Sequence, residues 1–195
     1  MKGFRNFRSW GALAVATCLA ASAQGYGSSL HAEKGAPEPY IPPLKTVASI
    51  KELMDSTIDP AADGLWDAVA TIVTEKGVDQ RQPRTDEEWH EVRRHAITLI
   101  EAMNLVMMDG RRAAPTGTKP GLGEQSPEQI GAMIAANRPA FDQFAENVRS
   151  DALKALDAID RKDSQALFRI GSDMDESCEG CHVTFWYPYS ARPTD

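Results

Sequence analysis

The chain has 195 residues, enough for one domain with a real core, and its 42% hydrophobic and 25% charged residues make an ordinary soluble composition. The formal net charge is −7, and Arg111-Arg112 with Lys119 is too sparse a basic stretch for a nucleic-acid footprint. No glycine-rich phosphate loop, paired-carboxylate site or activated nucleophile is visible, so the composition and motifs point away from an enzyme.

Met1 to Trp10 carries Lys2, Arg5 and Arg8 with no acid, Gly11 to Ala21 is small and apolar, and Ala21-Ser22-Ala23 offers a cleavage site. Residues 1–23 therefore read as a secretory signal peptide, with an apolar run too short for a permanent transmembrane anchor. Cys18 after Val15-Ala16-Thr17 loosely resembles a lipobox, but threonine before the cysteine fits lipidation poorly. Cleavage removes three bases, leaving 18 basic against 28 acidic residues and a formal charge of −10. Residues 24–44, glycine- and proline-rich without an apolar face, read as a flexible leader.

A domain over residues 45–190 follows. The first helix is expected from an N-cap at Thr46, with Val47, Ile50, Leu53, Met54 and Ile58 on one face. Asp59-Pro60 looks like a fresh cap and restart, and Leu65, Trp66, Val69 and Ile72 carry the stripe to a C-cap at Gly77. The second helix opens on the capping box Thr85-Asp86-Glu87-Glu88, buries Trp89, Val92, Ala96, Leu99, Met103 and Val106, and stops at Gly110. Arg111 to Gln125 is a long loop. Ser126-Pro127-Glu128-Gln129 caps a short helix, and Asn137-Arg138-Pro139 interrupts it. The third main helix runs from Pro139 to Ile159, with Phe141, Phe144, Val148, Leu153, Leu156 and Ile159 inward. The fourth starts at Asp163, carries Leu167, Ile170, Met174, Cys178 and Cys181, and ends at Pro188. With no strand-like alternation, the pattern predicts an all-α, antiparallel four-helix bundle.

The fourth helix carries Cys178-Glu179-Gly180-Cys181-His182, the Cys-x-x-Cys-His attachment signature of a c-type haem. On a helix, Cys178, Cys181 and His182 share one face, so one turn can form two thioethers and offer an imidazole to the iron. Gly180 leaves room for a flat macrocycle, and Glu179 should point away. A redox dithiol would want the pair at a helix start after a strand, and zinc would need a fourth ligand and usually a second clustered pair, where the other histidines are His31 in the leader, His90 and His95. A plain disulfide would leave His182 a coincidence.

A helical bundle with this motif in its last helix resembles the cytochrome c-prime family and its low-spin relatives. Leu153 to Asp160, the tight turn, then Ala166-Leu167 leading to Ser177 and the motif carry the likeness, which spans Thr46 to Tyr187. The resemblance implies one covalent haem c within the bundle, His182 on its proximal side and Met54 of the first helix as distal ligand. Met103, Met107, Met108 and Met133 compete, and His95 offers a bis-histidine alternative. The resemblance also implies a periplasmic single-electron carrier with protein redox partners, able to form homodimers. The alternative it offers is a gas-binding protein with an open sixth position. Two departures stand out: Ile50 and Lys51 where a propionate-pairing arginine is common, and Phe185-Trp186 where tyrosine-arginine is common.

Overall fold

The computed structural model describes residues 43–187. The expected signal peptide, Cys18, all of the leader before Pro43, and Pro188 lie outside the described residues. The described chain is mostly helical. Its elements are α1 (Ile50–Leu53), a π-helical turn π1 (Met54–Ile58), α2 (Asp59–Ala68), strands β1 (Thr71–Thr74) and β2 (Gly77–Gln80), α3 (Asp86–Val106), α4 (Pro127–Ala136), α5 (Arg138–Asp160), α6 (Ser164–Cys181) and a second π turn, π2 (His182–Trp186).

The first helical stretch starts later than expected. Ser49, not Thr46, is the N-cap: its hydroxyl accepts from the Glu52 N–H while Glu52 Oε2 takes the Ser49 N–H at 2.8 Å. Ser49-Ile50-Lys51-Glu52 is itself a capping box, and two mutually satisfied donors outweigh one threonine. Val47 is consequently 82% exposed rather than inward. Asp59-Pro60 does not break the helix. Ile58 and Asp59 keep right-handed helical backbone angles, and Asp59 makes no cap. The π turn absorbs the proline, whose missing N–H would have left an α ladder incomplete.

The stripe does not continue to Gly77, because a two-stranded antiparallel hairpin intervenes, against the expectation of no strand. Thr71-Ile72-Val73-Thr74 is four β-branched residues in a row, which crowd a helix and suit a pleated ribbon. Its register pairs Thr71 with Gln80 and Thr74 with Gly77, and Gly77 takes the turn at φ +128°, out of reach of most side chains.

The remaining helices form where the apolar periodicity places them. α3, 21 residues long, opens on the Thr85–Glu88 capping box, and α4 on the Ser126–Gln129 box. Asp163 caps α6 by accepting from the Ala166 N–H at 2.8 Å. α5 lies between α3 and α6, while α2 packs on α3 and also touches α6. The core of α5 is smaller than expected. Ala152, Ala155 and Ala158 are fully buried, and Leu153 is 49% exposed. The loop after α3 is built into the fold: the carbonyls of Arg112 and Ala113 accept the first N–H groups of α1, from Ile50 and Lys51, each at 2.9 Å.

A cavity lined by the Cys-x-x-Cys-His turn

A cavity of about 300 Å³ opens between the first helical stretch, α3, α5 and the end of α6. That is the lower end of the range for small-molecule sites. Ile50, Ile58, Val106, Phe141 and Val148 give it apolar walls. Cys178, Cys181 and His182 line it together from the α6–π2 junction, and Met54 lines it from π1. The cysteines are not joined to each other. Burial foremost pushes both thiols up from 9.0 to about 12, so neither is a thiolate at neutral pH. An activated redox dithiol needs the opposite shift.

The chemistry of the donor set suits a haem. Two thiols and an imidazole sit one helical turn apart against an apolar slot, and a thioether borders the same slot from a separate element. Among the described residues no group of three or more His, Cys, Asp or Glu side chains is arranged to hold a metal ion unaided.

The other sequence candidates fall as follows. Met103 lines the cavity, 3% exposed, whereas Met174 is buried elsewhere in the core. Met107, Met108 and Met133 do not line it. Met54 also borders a second, smaller cleft together with His182, Lys51, Glu124, Trp186 and Tyr187, which Met103 does not. His95 lies against Gly64 of α2, 3.5 Å from Glu91, and outside the cavity lining; His90 is exposed. Arg93 pairs with Asp160 at 2.8 Å and Arg94 with Glu91. Ile50 is core, and Lys51 sits 3.6 Å from Glu124.

Two sequence expectations need revision. Gly180 faces Phe144 of α5, whose Cε1 lies 3.0 Å from where a Cβ would stand, so its space is already taken by an aromatic ring that itself lines the cavity. Glu179 does not point away. It borders the cavity, with Oε2 3.8 Å from His182 Nδ1. With Asp59, Asp63 and Asp175 it makes an acidic mouth, and no lysine or arginine lines the cavity. Lost hydration raises the Asp59 carboxyl above its ordinary value; His182 works against that shift, and Asp55 and Asp63 add to it.

After the motif, Phe185 is fully buried and meets Phe141 and Phe144 edge-on, at 5.4 and 6.2 Å between ring centroids. Trp186 lines the cavity. Residue-by-residue reading missed Gln125. Its N–H donates to the Trp186 carbonyl and its side-chain amide to the Phe185 carbonyl, each at 3.0 Å. Tyr187 donates to Glu124 at 3.1 Å. The loop thus straps the segment that follows His182. The one available signal was an acceptor- and donor-bearing Glu-Gln pair just before a helix cap.

Comparisons with family models, with curated proteins and with solved structures each return no match.

Proposed function

We propose that the chain is an exported monohaem c-type cytochrome, an antiparallel four-helix bundle of the cytochrome c-prime kind that carries single electrons in the periplasm. The observation that carries the reading is the convergence of Cys178, Cys181, His182 and Met54 on one apolar cavity. The bound haem would supply the one-electron ferric–ferrous couple.

In this reading Cys178 and Cys181 would hold the porphyrin as thioethers, and His182 and Met54 would offer an imidazole and a thioether to its iron. Ile50, Val106 and Val148 keep water from the slot, and Trp186 covers its edge. A thioether paired with an imidazole in a dry setting favours the reduced state and raises the potential. With both His182 and Met54 engaged, small gaseous ligands would find no free site. The bundle reading rests on the mutual packing of α2, α3, α5 and α6. Among the described residues no helix is long and apolar enough to cross a membrane, and the proposed partners are other redox proteins.

Absorption spectroscopy of the matured protein tests the proposal. A low-spin ferric spectrum with the far-red methionine-to-iron charge-transfer band is expected, and Met54→Ala should convert it to high spin. A high-spin wild type that binds carbon monoxide tightly would overturn the Met54 assignment in favour of a gas-binding protein with an open sixth position. A chain that matures without covalent haem would overturn the whole reading.

A further inference from the structure

The two residues proposed as axial ligands share a local construction that no attachment motif demands. Met54 is the first residue of π1 and His182 the first of π2. In each case the carbonyl of that first residue accepts an N–H from five residues on, from Asp59 in π1 and from Tyr187, at 2.8 Å, in π2. In each case, too, a hydroxyl two residues after the ligand donates to the carbonyl two residues before it. Ser56 Oγ bonds the Glu52 carbonyl at 2.6 Å, and Thr184 Oγ1 bonds the Gly180 carbonyl at 2.6 Å.

We propose that Ser56 and Thr184 are positioning residues, whose hydroxyl bonds to the preceding turn hold the two π turns that present Met54 and His182 to the cavity. The inference rests on the haem reading above. A π turn is a rare departure from the α ladder, concentrated at functional sites, and something must hold it. A serine or threonine bonded to the carbonyl four residues back bends a helix locally, and both bonds are at the short end for O–H donors.

Two other features accompany the turns. In the first stretch the buried positions step from Leu53 to Ile58, a five-residue interval that a π turn serves. In both stretches a proline stands six residues after the proposed ligand, Pro60 after Met54 and Pro188 after His182, and it cannot continue an α ladder. The back-bonding hydroxyl is common to both turns as well, and replacing it leaves both prolines in place. It also sits at the same offset from each proposed ligand, so it selects these two residues from the chain's other histidines and methionines.

The experiment compares holoprotein variants. Ser56→Ala removes an exposed hydroxyl, and Thr184→Val keeps the side-chain shape, so neither disturbs the core; Ser56→Thr and Thr184→Ser restore the donor. Ferrous Ser56→Ala should bind carbon monoxide about fivefold more tightly than wild type, the factor set by losing one hydrogen bond that holds the competing thioether. Its ferric spectrum should lose part of the charge-transfer band. Thr184→Val should shift the midpoint potential, while both donor-restoring variants match wild type. Wild-type spectra, potentials and carbon monoxide affinity in Ser56→Ala and Thr184→Val, with unchanged circular dichroism, would overturn the inference. A high-spin wild type would instead defeat the Met54 reading and the Ser56 half with it. The potential of Thr184→Val against Thr184→Ser would then decide the Thr184 half alone. A wild type without covalent haem would overturn both halves.

Discussion

At the scale of single residues the cavity is shaped by what is absent as much as by what is present. Gly180 stands between the two cysteines and lets the Phe144 ring approach α6 closely. A methyl group there gains about 1 kcal/mol of helix propensity and costs about 1–3 kcal/mol in crowding. Because Phe144 also lines the cavity and stacks edge-on with Phe185, it yields toward the empty side. Gly180→Ala should therefore cost no more than about 2 kcal/mol in urea unfolding and, under the proposed function, show a clear drop in the yield of covalently loaded protein. An undiminished yield would mean that Phe144 can move without entering the slot. Part of the candidate site was legible here: the spacing of Cys178, Cys181 and His182 predicts a shared helical face, and the structure brings them to one cavity with Met54. Gln125 and Asp151 were not. Asp151 is buried and joins Ser177 and Lys154, each at 2.8 Å, thereby tying α5 to the residue before Cys178. Its sequence position shows only an acid within a helix, and its role depends on a partner 26 residues away.

At the scale of elements, the starts of α1 and α3 are set by carboxylates that reach back to backbone N–H groups. Glu88 Oε2 takes the N–H of Arg84 at 2.6 Å and of Thr85 at 2.9 Å, and Glu52 does the same for Ser49. Those backbone bonds foremost hold both carboxyls below their ordinary 4.5. A carboxyl with a lowered native pKa contributes stability that is complete above 4.5 and is lost as pH falls through the native value. Asp59, shifted upward, runs the other way and softens the slope. The melting temperature should thus fall on acidification below 4.5, and Glu88→Gln, which retains a capping acceptor but no titration, should flatten that fall. An unchanged pH profile would show that the α3 cap does not titrate. Capping boxes were readable at Thr85 and Ser126 and overlooked at Ser49, where Thr46 offered a competing start. The π turns were not readable, since Met54 and Ile58 satisfy a four-residue interval on paper. The hairpin is signalled by Thr71-Ile72-Val73-Thr74, but Ile72 also continues the helical stripe of Leu65, Trp66 and Val69, so the local pattern supports both periods.

For the molecule as a whole, the helical class was legible because long amphipathic stretches such as α3, α5 and α6 leave little choice of period. How the loop from Arg111 to Gln125 closes the fold was not, because its bonds run to distant backbone groups at Ile50, Lys51 and Trp186 that no local pattern encodes. The charge distribution adds a consequence for exchange with partners. Asp59, Asp63, Asp175 and Glu179 ring the cavity without a lysine or arginine in its lining, on a chain of formal charge −7. Such a field attracts cations to the cavity mouth and repels anions, and salt screens both effects. Under the proposed function, stopped-flow reduction by a small cationic reductant should slow as ionic strength rises, and oxidation by ferricyanide should quicken. Equal salt dependences for the two reagents would place the exchange route away from this mouth.

Two of the cavity-lining side chains are indoles. Trp66 crosses from α2 to donate its ring N–H to the Gly171 carbonyl at 3.0 Å, and Trp186 sits in the turn strapped by Gln125. Both emit in the near ultraviolet, where a porphyrin absorbs strongly, and both border the cavity. Under the proposed function they would serve as an optical reporter. Haem-loaded protein should then be nearly dark and the empty chain bright. Light recovered during unfolding would time the moment at which α2 and the end of α6 part company.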